Sequence, residues 1–143
     1  MNTTLYYSSI FSGIIIVCIS YGFISKPRVA LLLGVTYMAI ITSILNHGTT
    51  NTFYKFIDRC VMCLTTLVYI YYIIWIKSPF QQTIALSIVI GMILLYSYKL
   101  VRTTFCRDDE NAVIHNRYEF FTAVHLTCHI LSVVLFIIII LAK

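Results

Sequence analysis

The stretch Val29-Ala30-Leu31-Leu32-Leu33-Gly34-Val35-Thr36-Tyr37-Met38-Ala39-Ile40-Ile41-Thr42-Ser43-Ile44-Leu45-Asn46-His47 contains no Asp, Glu, Lys or Arg, and its reading decides the fold. As a helix rising 1.5 Å per residue it spans about 30 Å, the hydrocarbon thickness of a bilayer. It therefore reads as a transmembrane helix that ends in a polar island, Ser43 to His47, closed by Gly48 and the Thr49-Thr50-Asn51-Thr52 stretch.

Outward from this run the charges divide the chain of 143 residues into four more uncharged segments, residues 1–25, 60–76, 78–98 and 120–142. Charged residues make up 10% of the chain and hydrophobic ones 60%, and the mean hydropathy is +0.93. A soluble domain carries about 25% charged residues, so this is an integral membrane protein. The expected fold is an all-α bundle of five transmembrane helices forming one domain, at about 6–25, 29–47, 54–76, 80–98 and 119–142, with a polar loop over 99–118. The first segment lacks a basic n-region and an Ala-x-Ala site, so it reads as a retained helix rather than a signal peptide. Lys26-Pro27-Arg28 and Lys77-Ser78-Pro79 are turns. Helix four holds no ionisable group and is expected to serve packing alone.

The formal net charge of +5 comes from scattered Lys and Arg with no basic stripe, so they anchor loops and nucleic acid is not an expected partner. Five cysteines, mostly inside apolar runs, argue against a disulfide scaffold. Cys60-Val61-Met62-Cys63 has redox or zinc spacing but no second pair, and packing is the expected role. His115 belongs to the polar loop and is expected to be solvated.

Ionisable groups inside spanning helices are costly and point to function. Ser43 and His47 stand at i and i+4 on one helix face, and so do His125 and His129. Two imidazoles at that spacing suit a single metal. Topology brings the parts to one level: helix two ends where helix three begins with Asp58, and helix five starts on that same side. Three imidazoles with an open fourth position form a catalytic zinc set that activates water. Asp58 is then the expected proton acceptor and Ser43 an expected hydrogen bond donor to the reacting oxygen. The plainer readings are interhelical hydrogen bonds for the histidines, back-bonding for Ser43 and an interfacial pair for Asp58 and Arg59. Taken singly each suffices, but none predicts the shared depth.

The set Ser43/His47, Asp58 and His125/His129 resembles the superfamily of alkaline ceramidases, adiponectin/progestin-type receptors with their haemolysin III relatives, and Per1-like proteins. The eleven-residue step from His47 to Asp58 and the His129-Ile130-Leu131-Ser132 stretch look most like the ceramidase branch. That resemblance implies that His47, His125 and His129 hold Zn²⁺, that Asp58 and Ser43 contact its water, and that a lipid amide is hydrolysed to a fatty acid and an amine. It covers residues 43–58 and 125–132. The superfamily core has seven helices against five here, and residues 1–25 contain no counterpart of the acidic, Trp-containing segment of the ceramidases. Two other classes remain open: a non-catalytic membrane receptor or scaffold that keeps a structural zinc, and a bis-histidine haem protein. Lys55, Arg59, Lys99, Arg102, Arg107 and Arg117 lie on the site side against Lys26, Arg28, Lys77 and Lys143 opposite, which leans towards a cytosolic site.

Overall fold

A computed structural model describes residues 3–105 and 113–142. It consists of five α-helices and no strand among the described residues: α1 Thr3–Ser20, α2 Ala30–Gly48, α3 Thr52–Ile74, α4 Pro79–Phe105 and α5 Val113–Leu141. All five are long and apolar enough to cross a membrane. The chain is thus an all-α, multi-pass bundle, as its charge pattern predicts.

Local chemistry sets the turns. Lys26 is extended before Pro27, whose missing amide N–H is harmless at the start of the short 3-10 turn Pro27–Val29 that leads into α2. The phenol of Tyr72 donates to the Arg28 carbonyl at 2.8 Å and ties this turn to the far end of α3. At the other end of α2 the Thr49 amide and hydroxyl both donate to the Leu45 carbonyl, at 3.1 and 2.9 Å. Asn51 then caps α3, its side-chain oxygen accepting from the Phe53 amide at 2.9 Å. Only three residues therefore separate α2 from α3, and the end of one helix is held level with the start of the next.

Each helix packs against its chain neighbours, and α1 closes the ring against α5. Side-chain bonds give the directions: Ser9 meets Ser43 and Ser20 meets Tyr37, so α1 and α2 are antiparallel. The pair packs tightly at Gly13, where an added Cβ would stand 2.9 Å from Ile40 Cγ2. Small residues at such crossings let membrane helices approach closely, which matters because lipid gives apolar side chains little reason to leave it.

The bundle has two unlike halves. Away from the His47 end, Ile16, Leu32, Ile73, Leu135, Phe136 and Ile139 form a core with almost no exposed surface. Tyr69 is buried beside it with its hydroxyl 3.1 Å from Thr36 Oγ1, so the polar tip is satisfied. Outside, Phe11, Ile14, Val17, Leu67 and Leu94 are exposed, as suits a surface facing acyl chains. The opposite half is polar and holds the site.

Two expectations are corrected. The expected loop over 99–118 is largely helical: α4 continues to Phe105 and α5 begins at Val113. Residues 99–118 include neither Pro nor Gly, so nothing stops either helix where it leaves the apolar layer. Lys99 thereby belongs to α4 and His115 to α5, while Cys106 and the His115 side chain lie outside the described residues. Cys60 and Cys63 are free and exposed on the outer surface of α3, not packed within the bundle; Cys18 is likewise free and exposed, and Cys128 is free and half-buried.

Candidate metal centre

His47 comes from the last turn of α2, and His125 and His129 stand one turn apart on α5. The ring of five helices brings them together. One ligand atom from each of the three lies within 4.8 Å of the others, close enough for all to reach one metal ion. The rings meet edge to face: centroids are 4.8 Å apart for His47 and His125, 4.9 Å for His125 and His129, and 5.7 Å for His47 and His129. His47 is buried, with 7% of its surface exposed, and its Nε2 has no hydrogen-bond partner among the described residues. A buried, unpartnered nitrogen costs stability unless something takes its lone pair or its proton, so this donor set fits a cation that accepts nitrogen ligands.

Each histidine of α5 meets a residue that sequence reasoning did not single out for the site. Ser8 Oγ on α1 lies 2.8 Å from His129 Nδ1 and also donates to the Leu5 carbonyl at 2.9 Å. A hydroxyl has one proton, so with it spent on Leu5 the oxygen accepts from His129 Nδ1–H. That tautomer leaves the His129 Nε2 lone pair for a metal, the usual outer support of a ligating imidazole. Lys99 Nζ on α4 lies 3.1 Å from His125 Nδ1. Helix four therefore contributes to the site, contrary to the expectation that it only packs. The reason is its length: Lys99 lies one residue beyond the expected end of the helix at Tyr98, and the continuing helix keeps it against α5.

Asp58 and Ser43 are at the same end but held by other partners. Asp58 is buried and its carboxylate accepts from Asn46 Nδ2 at 2.7 Å and from Thr42 Oγ1 at 3.3 Å, both on α2. It is not among the residues of the three-histidine cluster. Ser43 Oγ lies 3.0 Å from Ser9 Oγ on α1, and Ser9 back-bonds to the Leu5 carbonyl. The structure thus assembles the three histidines into one centre, while Ser43 in α2 and Asp58 in α3 are bonded to other residues at that end of the bundle. Asn46 was legible only as part of the polar island and Thr42 not at all; both donate to the Asp58 carboxylate and so hold it within the bundle. Ser8 and Ser9 carried one signal, adjacent hydroxyls near the start of an uncharged helix.

Fold and site together define a class: a multi-pass membrane bundle with a three-histidine centre at one end. No protein family, curated protein or solved structure matches the chain.

Proposed function

We propose that this protein is a zinc-dependent intramembrane hydrolase of lipid amides, with ceramide-like lipids as the first class to test. The observation that carries the reading is the convergence of His47, His125 and His129 from two helices, their ligand atoms within 4.8 Å of one another and the buried Nε2 of His47 without a partner among the described residues. His47, His125 and His129 would hold the zinc, which when bound would supply a Lewis acid able to lower the pKa of a water to roughly 7. Hydrolysis adds one water across the C–N bond: the acyl carbon gains the hydroxyl, the nitrogen gains the proton, and a fatty acid and an amine leave. Asp58 is the carboxylate available to take and return that proton, and Asn46 and Thr42 hold it in orientation. Ser43 Oγ lies at the same level but is paired with Ser9, whose own proton goes to the Leu5 carbonyl, so Ser43 would leave that bond to donate to the reacting oxygen. The apolar half of the bundle excludes water from the other side, consistent with a substrate that enters from the membrane.

Metal analysis of the purified protein tests the reading. Near-stoichiometric zinc, lost in His47→Ala and His129→Ala, is expected. Zinc-free wild type, or zinc indifferent to both substitutions, removes the metal site. Asp58→Asn is expected to keep the zinc and lose turnover by about 10²–10⁴-fold, the usual contribution of a positioned base; full turnover in that variant takes Asp58 out of the mechanism.

A second reading is favoured by one observation. Because the Asp58 carboxylate is engaged by Asn46 and Thr42 and stands apart from the histidine cluster, the same centre also suits a membrane receptor or scaffold in which zinc only holds α2 to α5. It predicts bound zinc and no turnover on ceramides and N-acyl lipids. The haem reading fits less well, since imidazoles in mutual edge contact leave no gap for a planar macrocycle between two of them. By its excess of Lys and Arg the site side is assigned to the cytosol.

A further inference from the structure

We infer that Lys99 is an anion-binding residue of this same site, which makes the preferred ligand an amide lipid whose headgroup carries a carboxylate or a phosphate. The inference rests on the metal-site reading for the role of its neighbours, but its own evidence is the lysine. Lys99 lies on a membrane-spanning helix, half-buried, with its ammonium directed to His125 Nδ1 at 3.1 Å. An ammonium has three donors and no acceptor. His125 takes one, and among the described residues no other hydrogen-bond partner of Lys99 is found. The buried carboxylate at this level, Asp58, has its two oxygens turned to Asn46 and Thr42. A cation at the edge of a low-dielectric pocket, with two donors that no described residue takes, is costly unless an anion meets it.

A bound metal sharpens the need. If His125 gives Nε2 to a metal, its neutral ring carries the proton on Nδ1, and a donor then faces the ammonium donor. If it gives Nδ1 instead, the metal displaces the ammonium outright. Either way Lys99 must turn to another acceptor. Three neutral imidazoles would not offset a divalent cation, and Lys99 adds a further positive charge beside them. An anionic headgroup answers both demands.

The test measures equilibrium binding of three probes to the purified full-length protein in neutral detergent: N-palmitoylglycine, N-palmitoylphosphoethanolamine and the uncharged N-palmitoylethanolamine. Wild type is expected to bind one or both anionic probes about tenfold more tightly than the neutral one, the effect of one charge-assisted hydrogen bond. Which anionic probe wins decides between carboxylate and phosphate. Lys99→Met and Lys99→Gln are expected to reduce the preference to within about twofold, and Lys99→Arg to retain it. Equal binding of all three probes by wild type, or an undiminished preference in a monodisperse Lys99→Met protein, overturns the inference. Zinc content and probe hydrolysis are recorded on the same preparations. Missing zinc or turnover with a Lys99-dependent preference defeats the hydrolase reading alone; zinc and turnover without the preference defeat the anion reading alone.

Discussion

A hydroxyl on the first helix decides which nitrogen of a histidine on the last one is free. Ser8 is bonded both to Leu5 of its own helix and to His129 Nδ1, and this pair of bonds fixes the His129 tautomer. Removal of such an outer partner typically costs metal affinity 10–100-fold. Ser8→Ala is therefore expected to weaken zinc binding by about 10–100-fold in competition with a chromogenic chelator, while Ser8→Thr, which keeps the hydroxyl, stays near wild type. An unchanged affinity in Ser8→Ala would show that the bond is incidental. At this scale the histidines were legible, because i, i+4 spacing on a helix is a local rule that tertiary structure cannot alter. Ser8 and Lys99 were not, since a serine or lysine near a helix end has nothing in its own neighbourhood to say which partner it meets across the bundle.

At the scale of helices, the pairing of α1 with α2 positions Ser9 against Ser43 and so sets how α1 presents Ser8. Gly13 is a tight point of that pairing, with the position of a Cβ only 2.9 Å from Ile40 Cγ2. Gly13→Val is expected to destabilise the protein by about 1–3 kcal/mol, the usual cost of overpacking, read as a lowered unfolding midpoint in detergent. Ile40→Ala in the same chain is expected to recover a large part of the loss, because the two side chains share one space and their effects do not add. Simple additivity of the two substitutions would place the clash elsewhere. The number and order of helices were legible from charge-free runs alone. Their ends were not: α4 and α5 run past the apolar limits, since a polar stretch without Pro or Gly remains a good helix in water as well as in lipid.

For the whole molecule, an odd number of crossings puts the two ends of the chain on opposite sides of the membrane. With the site side assigned to the cytosol, a tag fused at Met1 is expected to be protected from protease added outside intact cells, and one fused at Lys143 to be cleaved. Cleavage of the first and protection of the second would reverse the assignment and place the histidine centre on the outer side. Both tags on one side would contradict the five crossings themselves.

By itself the sequence determined that the chain crosses a membrane, how many times, and that Ser43, His47, Asp58, His125 and His129 come to one level, because the cost of charge in hydrocarbon and the rise of a helix are local and act on every residue alike. Only the tertiary structure decided which of these residues touch. The closure of α1 onto α5 joined His129 to Ser8, the extension of α4 gave His125 a lysine, and the short α2–α3 turn committed Asp58 to Asn46 and Thr42 instead of to the imidazoles. Depth follows from position along a helix, whereas contact also depends on how each helix is turned about its axis. That rotation is set by packing, at points such as Gly13 against Ile40, among side chains distant in the chain.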